Sequence, residues 1–203
     1  LNALAIKAGK APHRIRGMTE AGLDRFPVEQ LKRWGGPADT TNPVNNKPRP
    51  ADLKPAESLL LMPCSEGKQP AAARAMDMYQ GVMWQSLRTH STEATRPKTV
   101  ILSAKHGFIG PNEKIDPYEQ RMTPESADQM LADVNAMADK IAAELGDGPI
   151  RDVMIVGGTE YRRVMRAAVA QLIKQGKIQK DASVNETGGA IGMQRSQLGA
   201  YLD

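Results

Sequence analysis

Apolar residues change their spacing along the chain. Three short apolar runs, at 58–62, 99–102 and 152–156, are bounded by Pro, Ser and Gly and are too short for helices, so they predict buried strands. Between and after them the apolar positions recur at helical spacing. A helix is predicted over 71–88, with Ala72, Ala75, Met76, Tyr79, Val82, Met83 and Leu87 on one face and Pro70 beside its first turn. A second is predicted from Thr123-Pro124-Glu125 to Leu145, stopped by Gly146, and a third over 159–175, stopped by Gly176. A short closing helix is expected at 194–201, after Gly188-Gly189. Strands alternating with helices predict an α/β fold, a three-layer sandwich around a mainly parallel sheet, occupying one catalytic domain at 58–203.

The first part of the chain reads differently. Residues 37–57 are rich in Pro, Asn, Thr and Lys without apolar periodicity, the composition of a linker. Residues 1–36 predict a small helical arm, with helices around 2–9 and 19–34, the latter interrupted by Pro27. The arm is basic, carrying Lys7, Lys10, His13, Arg14, Arg16, Arg25, Lys32 and Arg33. Such a segment can lie along a phosphate backbone or form a solvated arm packed on the main domain.

Composition narrows the picture. Aromatic residues make up only 4% of the chain while there are 11 Met, so an aliphatic, Met-rich core is expected. The single Cys64 excludes an internal disulfide. With three scattered histidines there is no zinc-ligand spacing, and neither a metal nor a cofactor is expected. No apolar run approaches the ~20 residues that span a bilayer, and the opening residues lack the layout of a secretory signal, so the expectation is a cytoplasmic protein without a membrane partner. A net charge of +4 leans weakly toward a polyanionic partner.

In open parallel sheets ligands bind beyond the carboxyl ends of the strands, where helix amino termini and backbone N–H groups point. Three loops should meet there. The first, 63–68, offers Cys64, Ser65 and Lys68, with Gly67 allowing close backbone approach, but lacks the spacing of a Walker loop. Cys64 can be a nucleophile or a small packing residue. The second, 103–107, places Lys105, His106 and Gly107 at a strand end, where a cation and an imidazole can hold an anion or protonate a leaving group. It continues through Asp116-Pro117-Tyr118-Glu119-Gln120-Arg121, dense in functional groups, although Asp-Pro is also a common turn starter. The third, 157–161, sets Gly157, Gly158 and Thr159 before a helix, as a phosphate or sugar cradle or an ordinary tight turn.

The run Leu61-Met62-Pro63-Cys64-Ser65-Glu66-Gly67-Lys68, then Met78-Tyr79-Gln80-Gly81, then Ile101 to Pro111 and Ile115 to Glu119 resembles a family of bacterial and phage domains related to the peroxide-stress protein YaaA and to the glycosylase-like domain of archaeosine synthase. The resemblance covers about residues 59–161. It implies a fold similar to the uracil-DNA glycosylase superfamily, whose active members hydrolyse an N-glycosidic bond. Asp116-Pro117-Tyr118 looks like that superfamily's water-activating motif, with Lys114-Ile115 standing where the motif has Gly-Gln.

On that basis the expected function is a DNA or nucleoside base glycosylase acting on a modified base, as in phage DNA. Asp116, or Glu119 in second place, would stabilise the sugar cation, and Lys105 or His106 the departing base. Tyr118 or Tyr79 would stack on the base, Gln80 or Gln120 read its edge, and Lys68 and Arg121 hold phosphates. Two other readings stand beside it. One is a nucleic-acid or nucleotide-binding module without catalysis, and the other a hydrolase using Cys64 with His106.

Overall fold

The computed structural model describes residues 49–50 and 52–203; the basic arm at 1–36 and most of the linker lie outside the described residues. Strand β1 (Ser58–Pro63) lies at the centre of a five-stranded sheet, because its six residues are withdrawn from water on both faces. It pairs in parallel with β3 (Lys98–Ser103) on one side and with β6 (Ile150–Ile155) on the other. Outside β3 runs the antiparallel β4 (Gly107–Ile109), and outside β6 the parallel β7 (Ile178–Glu186). The order is β4-β3-β1-β6-β7, so four of the five strands are parallel. A separate small ribbon pairs β2 (Ala73–Arg74) with β5 (Lys114–Ile115).

The strand period of two sorts side chains to the two faces. Leu59, Leu61, Val100, Leu102, Val153 and Ile155 share one core with α3 (Pro124–Ala132), α4 (Val134–Leu145) and α5 (Thr159–Lys174). Leu60, Met62, Ile101, Met154 and Val156 share the other with α1 (Ala75–Met78), α2 (Val82–His90) and α6 (Ile191–Leu202). The chain is thus an α/β protein with helices on a mostly parallel sheet. No helix among the described residues is long and apolar enough to cross a membrane.

Several expectations are corrected. The helix predicted over 71–88 is divided: Ala75, Met76, Tyr79, Met83 and Leu87 share one core, Ala72 and Val82 are exposed instead, and Gly81 begins a new helix after an extended turn. Gly81 N–H bonds Ser65 Oγ at 3.1 Å, and a Cβ on Gly81 would lie 2.7 Å from Ser65 Cβ, so loop one is packed against this break. The helix predicted over 123–145 divides at Asp133, while Thr123 caps it as expected, accepting from Ser126 N–H at 3.2 Å. Strand β7 is read from the sequence as no element, because its Gln179, Lys180 and Asp181 are exposed at the sheet edge and break any apolar pattern. The linker's last residues belong to the domain: Leu53 is buried and Pro55–Glu57 forms a 3-10 turn.

A buried carboxylate ties α6 to the sheet. Asp152 accepts a short hydrogen bond from the Tyr201 hydroxyl and another from Asn185 Nδ2 at 3.3 Å. Burial holds the Asp152 carboxyl above the ordinary aspartate range, against the opposing pull of the Tyr201 and Ser183 hydrogen bonds. The folded state therefore keeps this proton more tightly than the unfolded one. Its contribution to stability is present at low pH and declines as pH rises from the ordinary aspartate range through the raised folded value. Replacing Tyr201→Phe is expected to lower unfolding free energy by about 1–3 kcal/mol, since the acceptor is left buried without its donor. Urea unfolding at neutral pH measures this, and an unchanged midpoint would contradict it.

Candidate functional site

The three loops meet at the carboxyl edge of the parallel strands. Loop one leaves β1 with Cys64 N–H bonded to Leu102 O at 2.9 Å, which fixes it beside the end of β3. Trp84 Nε1 donates to Pro63 O at 2.9 Å, holding the same turn against α2. Loop three is brought over it by a contact of 3.0 Å between Cys64 Sγ and the Tyr161 hydroxyl. Gly157 is required here, with φ 127° and a built Cβ only 3.1 Å from Pro63 Cγ.

Two clefts open on either side of this junction and share Cys64, Ser65, Glu66 and Tyr161. The larger, about 450 Å³, is walled mainly by apolar groups: Pro63, Val82, Met83, Trp84 and Ile191, with Gly157, Gly158 and Gln194. The first turns of α2, α5 and α6 all contribute to it. Their N-caps are Gly81, Gly158 and Ala190, none of which caps its helix with a side chain. Val82 and Ile191 are among the few large apolar residues left exposed. The smaller cleft, about 60 Å³, is polar, with Lys68, Glu119, Gln120 and Arg121. Arg121 reaches across to Glu66 Oε1 at 2.9 Å, an exposed pair.

Loop two supplies the floor instead of the wall. Ser103 Oγ accepts from the N–H groups of Lys105 and His106 at 3.1 and 3.0 Å and meets the Tyr118 hydroxyl at 2.7 Å. Tyr118 in turn meets Tyr79 through their hydroxyls at 2.9 Å. Lys68 Nζ lies 4.6 Å and Lys105 Nζ 5.6 Å from the Tyr118 ring centre, so two cations converge on one aromatic ring. Burial raises all three phenols nearby, Tyr79 to about 12, with the Cys64 charge adding to the rise in Tyr118 and Tyr161. They remain neutral hydroxyls at physiological pH.

Of the residues expected at the site, Cys64, Ser65, Lys68, Glu119, Gln120, Arg121, Gly157 and Gly158 line the clefts. Asp116 is exposed and lines neither, because it lies on the outward turn between the buried Ile115 and Tyr118. Lys105 and Thr159 are also exposed and outside both. Tyr79 is fully buried and Tyr118 only 7% exposed, so neither ring has a face open for stacking on a base. Gln80 donates to Asp77 O at 2.7 Å, and Gly107 starts β4 with φ 71°, its α-carbon packed toward Met137. Cys64 and His106 form no dyad: the thiol meets Tyr161, and His106 packs edge-on against Tyr118 with Nε2 buried and without a partner.

The sequence reading missed Glu66, Trp84, Tyr161, Ile191 and Gln194. Tyr161 closes loop three and was legible there; Trp84 and Ile191 belong to helix starts concealed by the undivided helix and the late start given to α6. Among the described residues no group of three or more His, Cys, Asp or Glu side chains is placed to hold a metal ion.

Residues 59–196 match a family described as a family of unknown function, DUF6884. No curated protein matches the sequence. The chain is also similar to a solved structure described as the crystal structure of AF0587, a protein of unknown function. The TM-score is 0.38 and the identity 15%, over 71% of this chain and 42% of that one, so the chain spans less than half of that protein's length.

Burial pulls His106 below the ordinary histidine value, and the charge of Lys105 pulls it further. The unfolded chain takes up this proton first as pH falls, so the stability linked to His106 is present above ~6.5 and is lost below it. An NMR titration of the His106 ring is expected to give a midpoint below the ordinary value, rising in Lys105→Met. A midpoint at or above the ordinary value in the unsubstituted chain contradicts this.

Proposed function

The chain belongs to DUF6884, and for this member we propose an N-glycosidic-bond hydrolase that binds a nucleoside unit, with DNA the first substrate to offer it. The observation that carries the reading is the pairing of an apolar cleft with a polar one across the shared wall of Cys64, Ser65, Glu66 and Tyr161. A nucleobase is flat and largely apolar on its faces, while its sugar carries anionic phosphate, so one ligand asks for both kinds of surface in contact. In this reading the base lies against the exposed Val82 and Ile191, over a floor that includes the buried Trp84, and the phosphate faces Lys68 and Arg121. The uncapped starts of α2, α5 and α6 add partial positive charge around the same opening. A sandwich of the uracil-DNA glycosylase type is the fold that goes with this proposal.

Hydrolysis moves electrons simply. A water oxygen bonds to the anomeric carbon, the carbon–nitrogen bond breaks, and its electron pair leaves with the base, which takes a proton. The sugar passes through a cation-like state that a nearby carboxylate stabilises while accepting the water's proton. Glu119 takes that role ahead of Asp116, because it lines the polar cleft and Asp116 lines neither. The Tyr161 hydroxyl, held neutral at the junction, can donate a hydrogen bond to the leaving base. His106 is held toward its neutral form behind Tyr118, which favours Lys68 and Tyr161 over it.

A second reading has its own observation. Glu66 and Arg121 are paired with side chains 77% and 81% exposed, and Glu119 is exposed as well, so neither cleft holds a carboxylate withdrawn from water. A nucleotide-binding module without hydrolysis needs no such group, and would bind DNA in a salt-dependent way without releasing a base.

Mass spectrometry of bases freed from modified and unmodified DNA separates the two. The hydrolase reading expects release that falls roughly hundredfold or more in Glu119→Gln and little in Asp116→Asn. No base from any substrate, with binding retained, would overturn it in favour of the binding module.

A further inference from the structure

A third cleft lies away from the one centred on Cys64. It measures about 380 Å³, and Arg74, Arg88 and Arg96 line it with Asp77 and Glu93 opposing them, while Lys98 lines it too but turns its ammonium away to Leu145 O. The three arginines come from different parts of the fold: β2, the C-terminal end of α2 and the loop after it. Their convergence is set by the tertiary structure and is invisible as a run of charge in the sequence.

Arg88 is the fixed point. Its Nη2 donates to Tyr79 O at 2.6 Å and to Met76 O at 3.3 Å, and its guanidinium lies 5.9 Å from the Trp84 ring centre. These contacts anchor one edge of the planar group and leave the rest of its fork toward the cleft. Arg96 is held by Nε to Ser91 Oγ at 3.5 Å. Burial draws Arg88 below its ordinary value and the neighbouring charge of Arg96 adds to this, while Asp77 opposes it. Two guanidinium groups brought together in this way repel unless an anion accepts hydrogen bonds from both. Asp77 does not fill that place, since it is bound to Arg74 Nε at 2.7 Å.

We infer that this cleft is a second anion site, taking a phosphoryl group between Arg88 and Arg96, with Arg74 at its margin. Bidentate hydrogen bonding by guanidinium matches the oxygens of a phosphate, and the cleft is large enough for more than a single ion. The phosphoryl group can belong to a nucleic-acid strand or to a free phosphorylated molecule. Helix α2 joins the two regions: Val82 and Trp84 face the apolar cleft, and Arg88, about 9 Å further along the axis, faces the phosphoryl site. The inference stands apart from the glycosidic reading, because its readout is binding at a different cleft.

The test titrates the full chain, labelled with ¹⁵N, with sodium pyrophosphate and separately with a short single-stranded oligonucleotide, following the Nε–H signals of Arg88 and Arg96. Calorimetry supplies affinities, and melting curves check that each variant is folded. Saturable shifts at both arginines are expected with at least one probe. Arg96→Gln is expected to weaken that binding roughly tenfold, and Glu93→Gln, exposed and remote from the anchoring bonds, to tighten it. Saturation by the oligonucleotide marks a nucleic-acid strand as the source, and saturation by pyrophosphate alone marks a free phosphorylated molecule. No saturable shift with either probe, or affinities indifferent to both substitutions, would overturn the inference.

Discussion

Strand β1 has hydrogen-bonded neighbours on both sides and helices on both faces, and all six of its residues are buried inside the protein. Such a strand can release the chain only at its ends. At the carboxyl end it does so through Pro63 and Cys64, between the ends of β3 and β6. The positions of the other loops follow from that exit: Cys64 N–H reaches back to Leu102, Trp84 holds Pro63, and Val156 N–H bonds Leu61 O at 3.0 Å, which sets where Gly157 begins. The glycine is needed because a side chain there would strike Pro63.

The same constraint accounts for the unequal parts played by the loops. Loops one and three flank the exit of β1 and make the walls of both clefts. Loop two follows β3, which turns back immediately into the antiparallel β4, so it is drawn beneath the surface and builds the Ser103–Tyr118–Tyr79 chain of hydroxyls. A buried phenol pair with Lys68 and Lys105 drawn to its ring is a rigid, cationic base for the polar cleft, and keeps Lys68 near Glu119 and Arg121.

The parallel strands and their order in sequence were legible because fully buried strands read as short apolar runs bounded by turn residues, and 58–62, 99–102 and 152–156 lie within or overlap β1, β3 and β6. The edge strand β7 was not legible, since one side of it meets water and Lys180-Asp181 interrupts its pattern. Helical periodicity found the buried face of 71–88 but not the break at Gly81, which depends on Ser65, distant in sequence. At the site, residue type pointed to Cys64, Lys68, Glu119 and Arg121. It could not tell that Asp116 stays outside while Tyr118, two residues later, turns in, because that is decided by the hydroxyl of Ser103. The apolar cleft was missed for a related reason: Trp84 and Ile191 meet only through the packing of α2 on α6.

Cys64 belongs to both clefts, so its chemical accessibility reports on whether they hold a ligand together. The most direct measurement is the rate at which iodoacetamide alkylates Cys64 with and without a saturating short oligonucleotide. If the paired clefts take a nucleoside unit and its phosphate, alkylation slows in its presence, and salt that releases the oligonucleotide restores the rate. An alkylation rate unchanged by an oligonucleotide that is demonstrably bound would place the nucleic acid elsewhere and contradict the account.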